Sequence, residues 1–194
     1  MNNIYTYYNL GTELLLQSEL YRLLKNIIDT NQENHILEIG SQQGLFSCFF
    51  SDYLLNNKLS TLTCVDSFNS NNNKDNNNMK VQEIREIFLN NIYKSKNYDK
   101  CFINIMTSEE FFQKNEKMYN FIYINGNINM ETEIKNILNA IIQSFKYLSR
   151  EGILWINNYK YNSIMEKGIN DFINEYNIEC DVIHKGQQLA IRKR

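Results

Sequence analysis

Five short apolar runs recur along this chain, each followed by a stretch with helical spacing, and that alternation constrains the fold more than any other feature. The runs are His35-Ile36-Leu37-Glu38-Ile39, Thr61-Leu62-Thr63-Cys64-Val65, Cys101-Phe102-Ile103-Asn104-Ile105, Tyr119-Asn120-Phe121-Ile122-Tyr123-Ile124 and Ile153-Leu154-Trp155-Ile156. Between them the apolar periodicity predicts helices over 44–56, 79–94, 108–114 and 131–148. An amphipathic helix over 12–29, with Thr12 as its N-cap, precedes the first strand. Strands separated by helices must pair in parallel, and right-handed crossovers fix most of the topology.

The end of the chain breaks this rhythm. After a helix over 163–176, two strands over 181–184 and 189–192 are separated only by Lys185-Gly186-Gln187-Gln188, which suits a hairpin and not a crossover. The expected fold is therefore α/β, a three-layer sandwich whose mostly parallel seven-stranded sheet closes with an antiparallel hairpin. The 194 residues are enough for one domain with a core on both sheet faces, residues 1–30 forming an N-terminal cap.

Composition excludes several classes of partner. A net charge of −2 leaves no electrostatic footprint for nucleic acid, and the basic end Ile191-Arg192-Lys193-Arg194 is too short to create one. No apolar run approaches the ~20 residues a membrane span requires, and no leader pattern opens the chain. Cys48, Cys64, Cys101 and Cys180 stand far apart within apolar stretches, so buried free thiols and a cytoplasmic location are expected. The Asn-rich tract over 67–78 has too little apolar surface to offset its ordering entropy and reads as a mobile loop.

Ligands bind such sheets in the crevice outside the carboxyl ends of the strands. Those ends carry Gly40-Ser41-Gln42-Gln43-Gly44, Asp66, Met106-Thr107-Ser108, Asn125-Gly126-Asn127 and Asn157-Asn158-Tyr159. The two glycines permit a tight turn and close approach of a ligand to the backbone beside a helix N-terminus. Asp66, about 20 residues further on, is placed to accept hydrogen bonds from both hydroxyls of a ribose. Together they favour an adenosine-type ligand.

Several segments resemble class I S-adenosylmethionine-dependent methyltransferases, a Rossmann-like family, and its macrocin/catechol O-methyltransferase-like branch in particular. Leu37-Glu38-Ile39-Gly40-Ser41-Gln42-Gln43-Gly44 is similar to the family's first motif, and Val65-Asp66-Ser67-Phe68 to its second-strand ending. Phe121-Ile122-Tyr123-Ile124-Asn125-Gly126-Asn127 and Gly152-Ile153-Leu154-Trp155-Ile156-Asn157-Asn158-Tyr159 resemble strands that end in acids in that branch. The resemblance implies S-adenosylmethionine as cofactor, with Glu38, Gly40, Ser41 and Gly44 framing the methionine portion. It further implies that Asp66 and the adjoining Ser67 meet the ribose side, and Ser108 the adenine.

The departures concern chemistry. The branch holds magnesium with carboxylates at the positions of Asn125, Asn157 and often Asn158, and an acid at the position of Asn127 can serve as base. Neutral amides supply no compensating charge for a hard cation, so no tight metal site is expected. An amide also cannot take a proton at neutral pH. Tyr159, Tyr123, Asp75 and His184 are candidate helpers, with His184 ending a surface strand and Tyr123 packing in the sheet on the plainer reading. Asn125, Asn127 and Tyr159 stand as the candidate catalytic positions. Three functions compete: a metal-independent methyltransferase acting on a sugar or phenolic hydroxyl, a cofactor-binding pseudoenzyme or partner subunit, and a nicotinamide-dependent oxidoreductase. Self-association stays open. The Phe residues at 46, 49, 50, 111, 112, 121, 145 and 172, with Trp155, have core spacing, whereas Tyr5, Tyr7 and Tyr8 suit either a lid or an interchain contact.

Overall fold

The computed structural model describes residues 4–7, 13–68, 81–125 and 131–194. Thr12, Tyr8, Asp75, Asn127 and all of the Asn-rich tract after Phe68 lie outside them. Seven strands form one sheet: β1 (His35–Ile39), β2 (Thr61–Val65), β3 (Cys101–Asn104), β4 (Tyr119–Ile124), β5 (Leu148–Ile156), β6 (Cys180–Lys185) and β7 (Leu189–Lys193), in spatial order β3-β2-β1-β4-β5-β7-β6. The first five pair in parallel and β7 runs antiparallel to both β5 and β6. The expected mostly parallel sheet with a reversed C-terminal pair is thus the one observed.

Helices cover both faces. On one side α1 (Glu13–Leu24), α2 (Leu45–Leu54) and α3 (Val81–Ile92) close a core containing Leu20, Phe46, Phe50, Phe88, Phe121, Tyr123 and Trp155. On the other, α4 (Ser108–Lys114), α5 (Glu131–Lys146) and α6 (Ser163–Glu175) close one containing Phe111, Phe112, Phe145, Met165 and Phe172. Every aromatic residue assigned to the core by its spacing is buried. Strands with both faces covered read as continuous apolar runs, which is why they stand out in the sequence.

Two boundaries differ from expectation by more than two residues. The first helix ends at Leu24, five residues before Asp29, because Ile27 and Ile28 both turn back to the Leu24 carbonyl. Both isoleucines still pack on the core from that turn, so the apolar spacing outlasts the helix. β5 begins at Leu148, inside the expected end of α5, because Leu148 pairs with Tyr119 and the Tyr119 N–H bonds the Tyr147 carbonyl at 2.9 Å. The irregularity that follows is absorbed by Glu151, at φ +61°.

Register explains why the site lies where it does. Cys64, Glu38, Tyr123, Trp155 and Ala190 sit side by side across β2, β1, β4, β5 and β7, with side chains on the α1–α3 face. Strand side chains alternate between faces, so the residues two positions nearer the carboxyl ends of the parallel strands share that face. They are Asp66, Gly40, Asn125 and Asn157, joined by Gln188 from the antiparallel strand.

Candidate functional site

β1 ends in a loop whose backbone is left-handed at Gly40 (φ +86°), Gln42 (φ +47°) and Gly44 (φ +86°). Gly44 stands at the N-cap of α2, where an added Cβ would come within 3.1 Å of the Phe88 ring. Three neighbours clamp the loop. The Gln42 N–H donates to Asp66 Oδ2 at 2.8 Å, the Asn91 side-chain amide donates to the Gln43 carbonyl at 3.0 Å, and that of Asn125 to the Gly40 carbonyl at 3.3 Å. Gly40 and Asp66, 26 positions apart in the chain, therefore belong to one wall.

Asp66 is half-buried, and its second oxygen accepts the Phe68 N–H at 2.7 Å. Burial raises its pKa, opposed by the two backbone donors. Glu38 lies one row deeper and is fully enclosed. The hydroxyls of Ser41 and Ser47 both donate to Oε2, while Oε1 has no partner among the described residues. Burial pushes the carboxyl up to about 7, against the lowering effect of the two serines, and Asp66 adds a further upward push. A fully buried acid with an unmatched carboxylate oxygen and a half-buried one, both beside a glycine-rich turn, suit a ligand with positive charge and a vicinal diol. The cradle therefore fits the adenosyl sulfonium and ammonium of S-adenosylmethionine.

The amides form a directed row. Gln188 Nε2 donates to Asn157 Oδ1 at 3.0 Å, Asn157 Nδ2 to Asn125 Oδ1 at 2.7 Å, and Asn125 Nδ2 to the Gly40 carbonyl. A carbonyl can only accept, so Gly40 fixes which end of Asn125 faces it, and each amide fixes the next. All three side chains are buried. The amide oxygens of Asn125 and Asn157 are thereby turned into the row as hydrogen-bond acceptors, and the set offers no anionic donor. These residues do not fit a tight magnesium site.

The remaining expected positions are dispersed. Ser67 is half-buried between Asp66 and Phe68, and Ser108 opens α4 beyond β3, where Thr107 and Glu110 form a capping box. Tyr159 is fully buried and its hydroxyl donates to Asn170 of α6 at 2.9 Å, so it is tied to α6 and not to the amide row. Tyr123 packs against Phe46 and Phe50. His184 stacks on Trp155, with Nε2 3.5 Å from Glu19 of α1. Tyr5 donates to Asp52 and Thr6 exchanges hydrogen bonds with Asn91, placing this stretch of the N-terminal segment against α2 and α3. Ser47, Asn91 and Gln188 were not singled out from the sequence. Ser47 and Gln188 could have been reached by counting one helical turn past Gly44 and two residues back from Ala190.

No family model matches the sequence, and no curated protein sequence does. Solved structures do share the fold. A provisionally assigned rRNA methylase from Clostridium thermocellum superposes with a TM-score of 0.67 at 11% identity, covering 97% of each chain. The N-methyltransferase NodS from Bradyrhizobium japonicum, in complex with S-adenosylhomocysteine, gives 0.56 at 14% identity, over 94% of this chain and 88% of NodS. The TDP-rhamnose 3′-O-methyltransferase of calicheamicin biosynthesis gives 0.55 at 14%, over 93% and 78%. At such identities the likeness is one of fold: the chain has the Rossmann-like fold of S-adenosylmethionine-dependent methyltransferases. The matches span an rRNA methylase, an N-methyltransferase and a sugar O-methyltransferase and do not single out the macrocin/catechol branch.

Proposed function

We propose that the chain binds S-adenosylmethionine across the carboxyl ends of β1 and β2 and methylates a small-molecule hydroxyl, a sugar or a phenol, without a tight magnesium site. The observation that carries this reading is the 2.8 Å bond from the Gln42 N–H to Asp66, which joins the glycine loop and the acid into one wall. When bound, the cofactor supplies an electrophilic methyl group on a good leaving group. Asp66 would then accept from the ribose hydroxyls, Ser67 and Ser108 would flank the nucleoside, and Glu38 with Gly40, Ser41 and Gly44 would frame the charged end. With no carboxylate base at position 125 or 157, orientation must supply most of the acceleration, and it can contribute ~7–11 kcal/mol where base catalysis adds ~10²–10⁴-fold. Asn127, outside the described residues, stays a candidate catalytic position on the resemblance alone. The net charge of −2 favours a small acceptor over RNA, although rRNA methylases share the fold. The unpaired cysteines suit a reducing, cytoplasmic setting, and no described helix is long and apolar enough to cross a membrane.

Calorimetry with S-adenosylmethionine and with NAD tests the cofactor: saturable heat with the first and none with the second is expected, and the reverse would overturn the reading. The closed amide row also favours a second reading, a cofactor-binding pseudoenzyme or partner subunit. Chelation with EDTA should leave turnover on sugar and phenol panels unchanged, whereas Asn125→Asp/Asn157→Asp should bind Mg²⁺ measurably by calorimetry. Activity that appears only in the double variant with Mg²⁺ would establish the pseudoenzyme reading. Loss of the natural protein's activity on chelation would refute the metal-free one.

A further inference from the structure

We propose that Asn157 and Gln188 are positioning residues for the cofactor loop, acting through the directed amide row that ends on the Gly40 carbonyl. The inference rests on the proposed function only in taking residues 40–44 as the cofactor cradle.

Gln188 belongs to the β6–β7 hairpin and Asn157 to the end of β5, and their side-chain hydrogen bonds run along the row, to Asn157 and to Asn125. Their influence runs through Asn125, whose Nδ2 reaches the Gly40 carbonyl. Gln188 is a poor fastener by ordinary standards. It is completely buried, gives one hydrogen bond to Asn157, and leaves Oε1 without a partner among the described residues. An aliphatic side chain would hold the hairpin to the sheet without an orphaned acceptor, so what the amide adds is a donor for Asn157 Oδ1, which the Gly40 carbonyl, acting through Asn125, turns towards it. With Gln188 donating, Asn157 Oδ1 is occupied and Asn157 Nδ2 must face Asn125. Asn125 Oδ1 is then occupied in turn, and its Nδ2 turns to the carbonyl of Gly40. The other clamps act further along the loop, Asp66 at Gln42 and Asn91 at Gln43. The Gly40 N–H is held by the Val65 carbonyl at 2.8 Å, and the row adds the hold on the Gly40 carbonyl, at the first peptide of the turn, where φ is +86°. In this chain uncharged, oriented dipoles tie together the ends of β1, β4 and β5.

Direction makes the idea testable separately from packing. Asn157→Asp keeps an acceptor for Gln188 but confronts Asn125 Oδ1 with a carboxylate, so Asn125 must turn its Nδ2 away from Gly40. Asn157→Leu breaks the row outright, and Gln188→Met removes only its far end. For Asn157→Asp and Asn157→Leu, S-adenosylhomocysteine affinity measured by calorimetry well below the melting temperature should fall about tenfold. Gln188→Met should lose roughly threefold. In all three, amide hydrogen exchange over residues 40–44 should quicken in the same order without ligand, while exchange in α5 and α6 stays at the natural rate. Unchanged loop exchange in folded Asn157→Asp overturns the inference, as does an affinity loss that follows melting temperature and not the order of the row. Should the natural chain fail to bind S-adenosylhomocysteine, the proposed function falls, and loop exchange alone then decides whether the row positions the turn.

Discussion

Replacing Asp66 with alanine is expected to weaken S-adenosylhomocysteine binding by about 100-fold or more, the largest effect of any single change at the site. A carboxylate that accepts from two ribose hydroxyls contributes two charge-assisted hydrogen bonds, each ~1.5–3 kcal/mol, and both vanish together. Part of the loss arises in the protein itself, because the same oxygens hold the Gln42 and Phe68 N–H groups and so shape the wall the ribose would face. Asp66→Asn separates the two contributions. It keeps an acceptor for one backbone donor and nearly the same shape, yet cannot accept at both oxygens, so at least a tenfold loss should remain. Calorimetry on both variants, with melting temperatures as the check on folding, decides the matter. An Asp66→Ala protein that binds as tightly as the natural one would remove Asp66 from the site.

The second large effect concerns pH. In the unfolded chain Glu38 titrates at its ordinary value of 4.5; in the fold its burial raises this to about 7. Between those values the native state binds more protons than the unfolded state, so stability is fully present below pH 4.5 and falls as pH rises through 7. The loss through this one group approaches roughly 3 kcal/mol by pH 8, a large share of a typical domain's stability. Denaturant unfolding at pH 5 and pH 8 should show the decline, and Glu38→Gln should flatten it while remaining the more stable protein at pH 8. A natural protein equally stable at both values, with Glu38→Gln no different, would mean that Glu38 is ionised at no cost in the fold. Saturating S-adenosylhomocysteine, whose ammonium would sit near Glu38 on the proposed reading, should also reduce the decline.

Much of the architecture is visible in the residue order because the central strands are covered on both faces. Segments such as Phe121-Ile122-Tyr123-Ile124 are buried throughout and bounded by polar residues, so each strand end marks itself. Boundaries were less legible where an apolar side chain can serve the core from two backbone conformations, as Ile27 and Ile28 do from a turn and Leu148 does from a strand. The site divides in a similar way. Gly40, Gly44 and Asp66 announce themselves by type and by position after strands. Tyr159 has the same position after a strand, but its hydroxyl is bonded to α6, and nothing in its immediate neighbours in the sequence foretells that.

The asparagines mark the limit most clearly. From the sequence, Asn125 and Asn157 could be identified only as amides standing, on the resemblance, in place of acids. That they bond to one another, and that Gln188 completes their row from a hairpin, follows from β4, β5 and β7 lying side by side in a particular register. The sequence alone determined the layers, the strand–helix order and which polar loops follow the carboxyl ends of the strands, since these follow from local periodicity and burial. Tertiary structure alone decided which way each amide points and what Glu38 faces, because hydrogen-bond direction and desolvation depend on neighbours that the chain brings together from dozens of residues apart.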